Sequence, residues 1–124
     1  MRHDVLADVF SIIKGMENIG RKEAKVPATE LAENVLKIMH ENNYIGNYPQ
    51  KDRYRTVQLM GRINDCNVIR PRFSVKKDDF IRWEKRFLPA VGTGILILTT
   101  TKGIMDHHAA RKEGVGGQLL GFVY

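Results

Sequence analysis

The chain holds one cysteine, Cys66, among 124 residues, so it cannot close an internal disulfide and suits a reducing compartment. A lone thiol without a CxxC partner is expected to be buried structure. No apolar run approaches the ~18–20 residues that span a bilayer. The first residues, Met1-Arg2-His3-Asp4, lack the apolar core of a signal peptide, and the expectation is a soluble, cytoplasmic protein with no membrane partner. Internal repeats, low-complexity tracts and linkers long enough to separate independent domains are also missing.

Catalytic signatures are equally scarce. Neither GxSxG nor HExxH occurs. Thr101-Lys102-Gly103 contains letters of a phosphate loop in the wrong order, without the leading GxxxxG, so an NTPase reading fails. His107 and His108 are adjacent; on a helix they leave the axis about 100° apart and are poorly placed to chelate one ion. No cofactor, metal or small-molecule substrate is expected. A small nucleotide-dependent enzyme built on Asp106 and the two histidines stands as the contrary hypothesis from another class.

What the chain does have is positive charge, unevenly spread. Twenty basic against fourteen acidic residues give a net +6, which favours a polyanionic partner. Residues 1–50 carry six Lys/Arg and seven Asp/Glu, whereas residues 51–124 carry fourteen and seven. The electrostatic footprint therefore belongs to the second half.

From Asp4 to about Glu17, Val5, Leu6, Val9, Ile12, Ile13 and Met16 recur at helical spacing, with Asp4 as N-cap and Asp8, Ser11 and Lys14 on a polar side. Lys22 to Val26 reads as a short strand stopped by Pro27, and Lys25 and Thr29 flank that proline. Thr29 suits the N-cap of a second helix reaching about Asn42. Two strands, Asn43–Tyr48 and Tyr54–Leu59, joined by a polar loop, complete a lobe of α/β character. The residues from Arg70 to Lys77 form the clearest basic segment, either a charged edge strand or a nucleic-acid contact. Asp78 is placed to cap a helix over Asp79–Phe87, in which Trp83 is expected to pack rather than stack on bases, leaving Arg82, Lys85 and Arg86 at the surface.

The last third organises the rest. Ile95 to Leu98 have the length and composition of a buried strand that delivers Thr99, Thr100 and Thr101 to a surface, and Lys102 and Gly103 add a cation and permissive backbone. Asp106 stands where an N-cap belongs, Gly114 can stop the short helix in the left-handed conformation, and Gly116 and Gly117 allow another chain close to the backbone. A final strand over Leu119–Tyr124 is expected to show Leu120, Phe122 and Tyr124 on one side. Hydroxyls and bare amides suit the 2′-hydroxyls of an A-form groove, cations suit its phosphates, and Gln118 can donate and accept at a base edge. A plain strand end of β-branched residues is the competing account of the three threonines.

The stretches Leu98–Lys112 and Val115–Tyr124 resemble the carboxy-terminal signature of the small-subunit ribosomal protein eight family. Residues 4–8, 25–29 and 44–46 are similar as well, and residues 61–64 with Cys66, 71–73 and 87–89 look like the archaeal and eukaryotic branch rather than the bacterial one. The resemblance implies an α+β, two-lobed protein, with an amino-terminal α/β lobe (1–60) packed on a carboxy-terminal, mainly antiparallel β lobe (61–124). It implies a structural constituent of the ribosome that binds the central domain of small-subunit ribosomal RNA during assembly, beside neighbouring ribosomal proteins. The alternative it carries is a translational regulator that binds a messenger RNA mimicking that site. By this likeness Thr99, Thr100, Thr101, Lys102 and Gly103 form the principal RNA site, Gly116, Gly117 and Gln118 an adjoining contact, and Asp4, Ser11, Lys25 and Thr29 a second surface. Thr101 stands where serine is more usual, and Gln118 where the bacterial branch has glutamate.

Overall fold

The computed structural model describes residues 5–51, 53–69, 73–90 and 93–124. The chain divides into two units, Met1–Cys66 and Asn67–Tyr124. Both combine helices with antiparallel sheet, the second being mainly β, so the α+β class holds.

In the first unit, α1 (Val5–Asn18) buries Leu6, Val9 and Ile13 of the stripe read from spacing and adds Phe10, which that stripe had left out, while Ile12 and Met16 are half-buried. Asp4, its expected cap, lies outside the described residues. Strand β1 (Glu23–Pro27) alternates, turning Ala24 and Val26 inward and Lys25 outward. Helix α2 (Glu30–Glu41) starts as expected, because Thr29 Oγ1 accepts from Ala32 N at 3.2 Å. The sheet order is β1-β3-β2, with β3 at Tyr54–Gln58 and β2 at only Gln50–Lys51. The strand expected over 43–48 is therefore misplaced: only Ile45 forms an isolated bridge, to Leu59, and Asn43 adopts a positive φ of 64° that no strand tolerates. Residues 61–66 are tied to α1. Glu17 accepts from Gly61 N and Ile63 N, and the Cys66 thiol donates to Phe10 O at 3.5 Å. Burial, with Asp65 nearby, pushes that thiol up to about 12, so it is inert at neutral pH.

In the second unit the sheet order is β4-β8-β6-β7, with β5 also on β8. The strands are β4 (Cys66–Val68), β5 (Ser74–Val75), β6 (Ile95–Thr100), β7 (Gly103–Asp106) and β8 (Gly117–Val123). One face of the sheet packs Leu96, Leu98 and Leu119 with Phe80, Trp83 and Ala110, from α3 (Phe80–Phe87) and α4 (His107–Glu113). Trp83 is 6% exposed and serves as packing, as expected. Asp106 caps α4 by accepting from Ala109 N at 2.7 Å, and Gly114 ends it at φ 69°.

Three local expectations are corrected. The N-cap position of α3 is Asp79, not Asp78, and its side chain makes no capping bond. Strand β7 was not anticipated; Ile104 and Met105 pair with Thr99 and Leu98. A register shift at Ile97/Leu98 leaves Leu120 without a partner on β6, so Leu119 rather than Leu120 shares the core face with Phe122 and Tyr124. Of the basic segment, Lys76 and Lys77 are exposed beside β5, while Arg70, Pro71 and Arg72 lie outside the described residues.

Candidate nucleic-acid interface

The hairpin β6–β7 turns through Thr101 and Lys102, because Thr100 pairs with Gly103. Thr100 itself holds the turn. Its hydroxyl donates to Gly103 O at 2.8 Å and accepts from Lys102 N at 3.1 Å. Gly103 closes it at φ 110°, a conformation side chains rarely adopt. Thr101 is exposed, and among the described residues nothing partners its hydroxyl. Lys102 Nζ lies 3.0 Å from Glu113 Oε2 with both side chains more than half exposed, an ion pair worth under about 1 kcal/mol that an incoming phosphate can displace.

Cross-strand partners share a sheet face. Thr99 pairs with Gln118, and Gln118 with Ser74, so three strands line up a polar row on the face opposite the Trp83 core. Gln118 and Ser74 are exposed and Thr99 half-buried. This row sets Thr99 beside Gln118, two residues the sequence reading had assigned to separate contacts. It also adds Ser74, a residue the sequence reading passed over; the signal was the alternation of Phe73-Ser74-Val75, whose last member is buried.

Gly116 and Gly117 have a role inside the fold. A Cβ on Gly117 would collide with Thr99 O, and one on Gly116 with Val75 O. The close approach they permit is that of β6 and β5 from the same chain.

The other assigned positions stand apart. Ser11 is exposed on α1, Lys25 on the outer face of β1 opposite Thr56, and Thr29 is committed to capping α2. Among the described residues no hydrogen bond or ion pair joins these three. Asp4 lies outside the described residues.

Beneath the sheet, α3 and α4 are linked by a buried polar cluster. Glu84, 1% exposed, meets Arg111 Nη2 at 2.7 Å and lies 3.0 Å from His107 Nε2, although the Nε2–H is not aimed along that vector. His107 Nδ1 accepts from Leu96 N at 3.0 Å, which fixes the proton on Nε2 of the neutral ring. Burial, helped by His108, pulls His107 down to about 4. The two histidine rings do not diverge as expected, for their centroids are 3.9 Å apart; the helical angle separates Cβ directions but side-chain rotation brings the rings together. With one nitrogen accepting from backbone and the other facing Glu84, His107 has no lone pair to offer a metal or substrate. No group of three or more metal-ligating side chains occurs among the described residues.

The arrangement presents hydroxyls, an amide side chain and a displaceable cation, and among the described residues no nucleophile stands beside a base. Comparison with known proteins shows the family. A family model described as Ribosomal protein S8 matches residues 4–124. Three similar proteins are each named "Small ribosomal subunit protein uS8". That of Methanococcoides burtonii is 50% identical, over 98% of this chain and 97% of its own length. Those of Picrophilus torridus and Thermoplasma volcanium are each 46% identical over the whole of both chains. Matched from Asp4 to its last residue, and related along its full length to proteins of that name, the chain belongs to the ribosomal protein S8 family.

Proposed function

We propose that the chain is a non-enzymatic constituent of the small ribosomal subunit, in the cytoplasm, that binds the central domain of small-subunit ribosomal RNA and stabilises its fold during assembly. The observation carrying this reading is the polar row Ser74–Gln118–Thr99 running into the exposed turn Thr101–Lys102. Hydroxyl and amide groups in extended array match the donors and acceptors of a shallow RNA groove, and Lys102 meets a phosphate at its rim. Gly116 and Gly117 support the surface from within by letting the strands close. Ser11 and Lys25 supply a smaller contact from the first unit, to which Thr29, its hydroxyl oxygen already accepting from Ala32 N, adds only its O–H donor, and other proteins of the subunit adjoin the remaining faces.

Thr101→Ala is the cleanest test, because Thr100→Ala would also loosen the turn. A lost hydrogen bond of about 1 kcal/mol weakens binding to a central-domain transcript roughly fivefold, while Lys102→Ala flattens the salt dependence by about one phosphate. Both variants binding as tightly as wild type would remove the turn from the interface. Competition between that transcript and the chain's own messenger RNA separates assembly from the regulatory reading.

A further inference from the structure

Helix α3 carries charge in an unusual arrangement. Arg82, Lys85 and Arg86 are all exposed, at i, i+3 and i+4, and so share one side of the helix. Like charges at this spacing disfavour the helix. The helix has one carboxylate, Glu84, and it is turned inward onto Arg111 and His107. Among the described residues, none of the three cations is ion-paired.

Two of them are also held in place. The Arg86 guanidinium sits 4.6 Å from the Phe73 ring centroid and 5.3 Å from that of Phe87, and Arg82 lies 5.4 Å from Trp83. Stacking on rings fixes a guanidinium plane and leaves its in-plane N–H donors free for an anion. Uncompensated like charge with preset donors fits a polyanion whose charges are spaced along a line, which is the chemistry of a sugar-phosphate backbone.

We propose that the outer face of α3 is a second phosphate-binding surface, gripping the backbone of the same RNA without reading its bases. This inference rests on the RNA-binding reading above, and one set of titrations separates the two. The probes are a central-domain transcript and an unrelated RNA duplex, titrated with wild type, Arg82→Gln/Lys85→Gln and Thr101→Ala across a salt series. The double variant loses one cation–ring contact and relieves like-charge repulsion along α3, small effects of opposite sign, and should melt close to wild type. Its plot of log affinity against log salt should be shallower by about two, one for each phosphate no longer neutralised, with preference for the central-domain transcript unchanged. Thr101→Ala should do the reverse, keeping the slope and lowering the preference. Wild type without any preference would overturn the RNA reading and this proposal with it. A normal wild type beside a double variant of unchanged slope would overturn this proposal alone, leaving the face to an acidic protein neighbour or to solvent.

Discussion

The two units use charge differently. Met1–Cys66 has ten basic and nine acidic side chains, whereas Asn67–Tyr124 has ten and five. In the first unit the charges largely serve the fold: Arg55 binds Glu33 at 2.9 Å and Tyr48 O, Lys14 meets Asp65 at 2.7 Å, and Glu17 secures two backbone amides. In the second, Glu84, Asp106 and Glu113 are all engaged internally, so the excess cations on α3 face outward. Equal numbers of cations thus yield one nearly self-neutralised unit and one with a basic surface, and the difference lies in the supply of carboxylates.

Glycine substitution should break this comparison most sharply. Gly117→Ala places a methyl on Thr99 O, where backbone must move, and should cost about 3 kcal/mol in chemical denaturation. Gly15→Ala, inside α1 with nothing within 4 Å of the added carbon, should instead stabilise by roughly 0.5–1 kcal/mol. Loss of stability at both sites would mean that the first unit is as tightly packed against its backbone as the second.

Acid should also separate the units. His107 is held neutral down to about 4, against an ordinary value near 6.5, so the unfolded chain binds the extra proton between those limits. Stability is therefore unaffected above about pH 6.5 and falls as pH drops towards 4, by up to roughly 3 kcal/mol. His107→Asn keeps an acceptor for Leu96 N without titrating, and should flatten the second unit's response in this window. An unchanged slope in the variant would place the acid sensitivity elsewhere.

The smallest effect belongs to the first unit. Glu33→Gln removes a partly exposed partner of Arg55 and should cost about 0.5 kcal/mol, less at high salt. A cost above about 2 kcal/mol would show that this pair anchors the unit.

What could be read from the sequence follows the range of each interaction. Helices α1 and α2, strand β6 and the caps at Thr29, Asp106 and Gly114 depend on spacing or on neighbours three residues away, and these were legible. Strand β7 was not, because its hairpin lacks an Asn-Gly turn and is held by the Thr100 side chain. The bulge that exchanges Leu120 for Leu119 is set by pairing with β6, which a strand's own alternation cannot reveal. The same limit hid Ser74, which becomes part of the polar row only once β5 and β6 flank Gln118. The threonines and Gln118 were singled out by resemblance and by their chemistry; their alignment is a property of register.

The most direct test of the account is to map backbone amide shifts of the labelled protein as a central-domain ribosomal RNA fragment is added. Changes concentrated at Ser74, Thr99, Thr101, Lys102 and Gln118 are the predicted result. Changes confined to Met1–Cys66, with the β6–β7 turn unaltered at saturation, would contradict it.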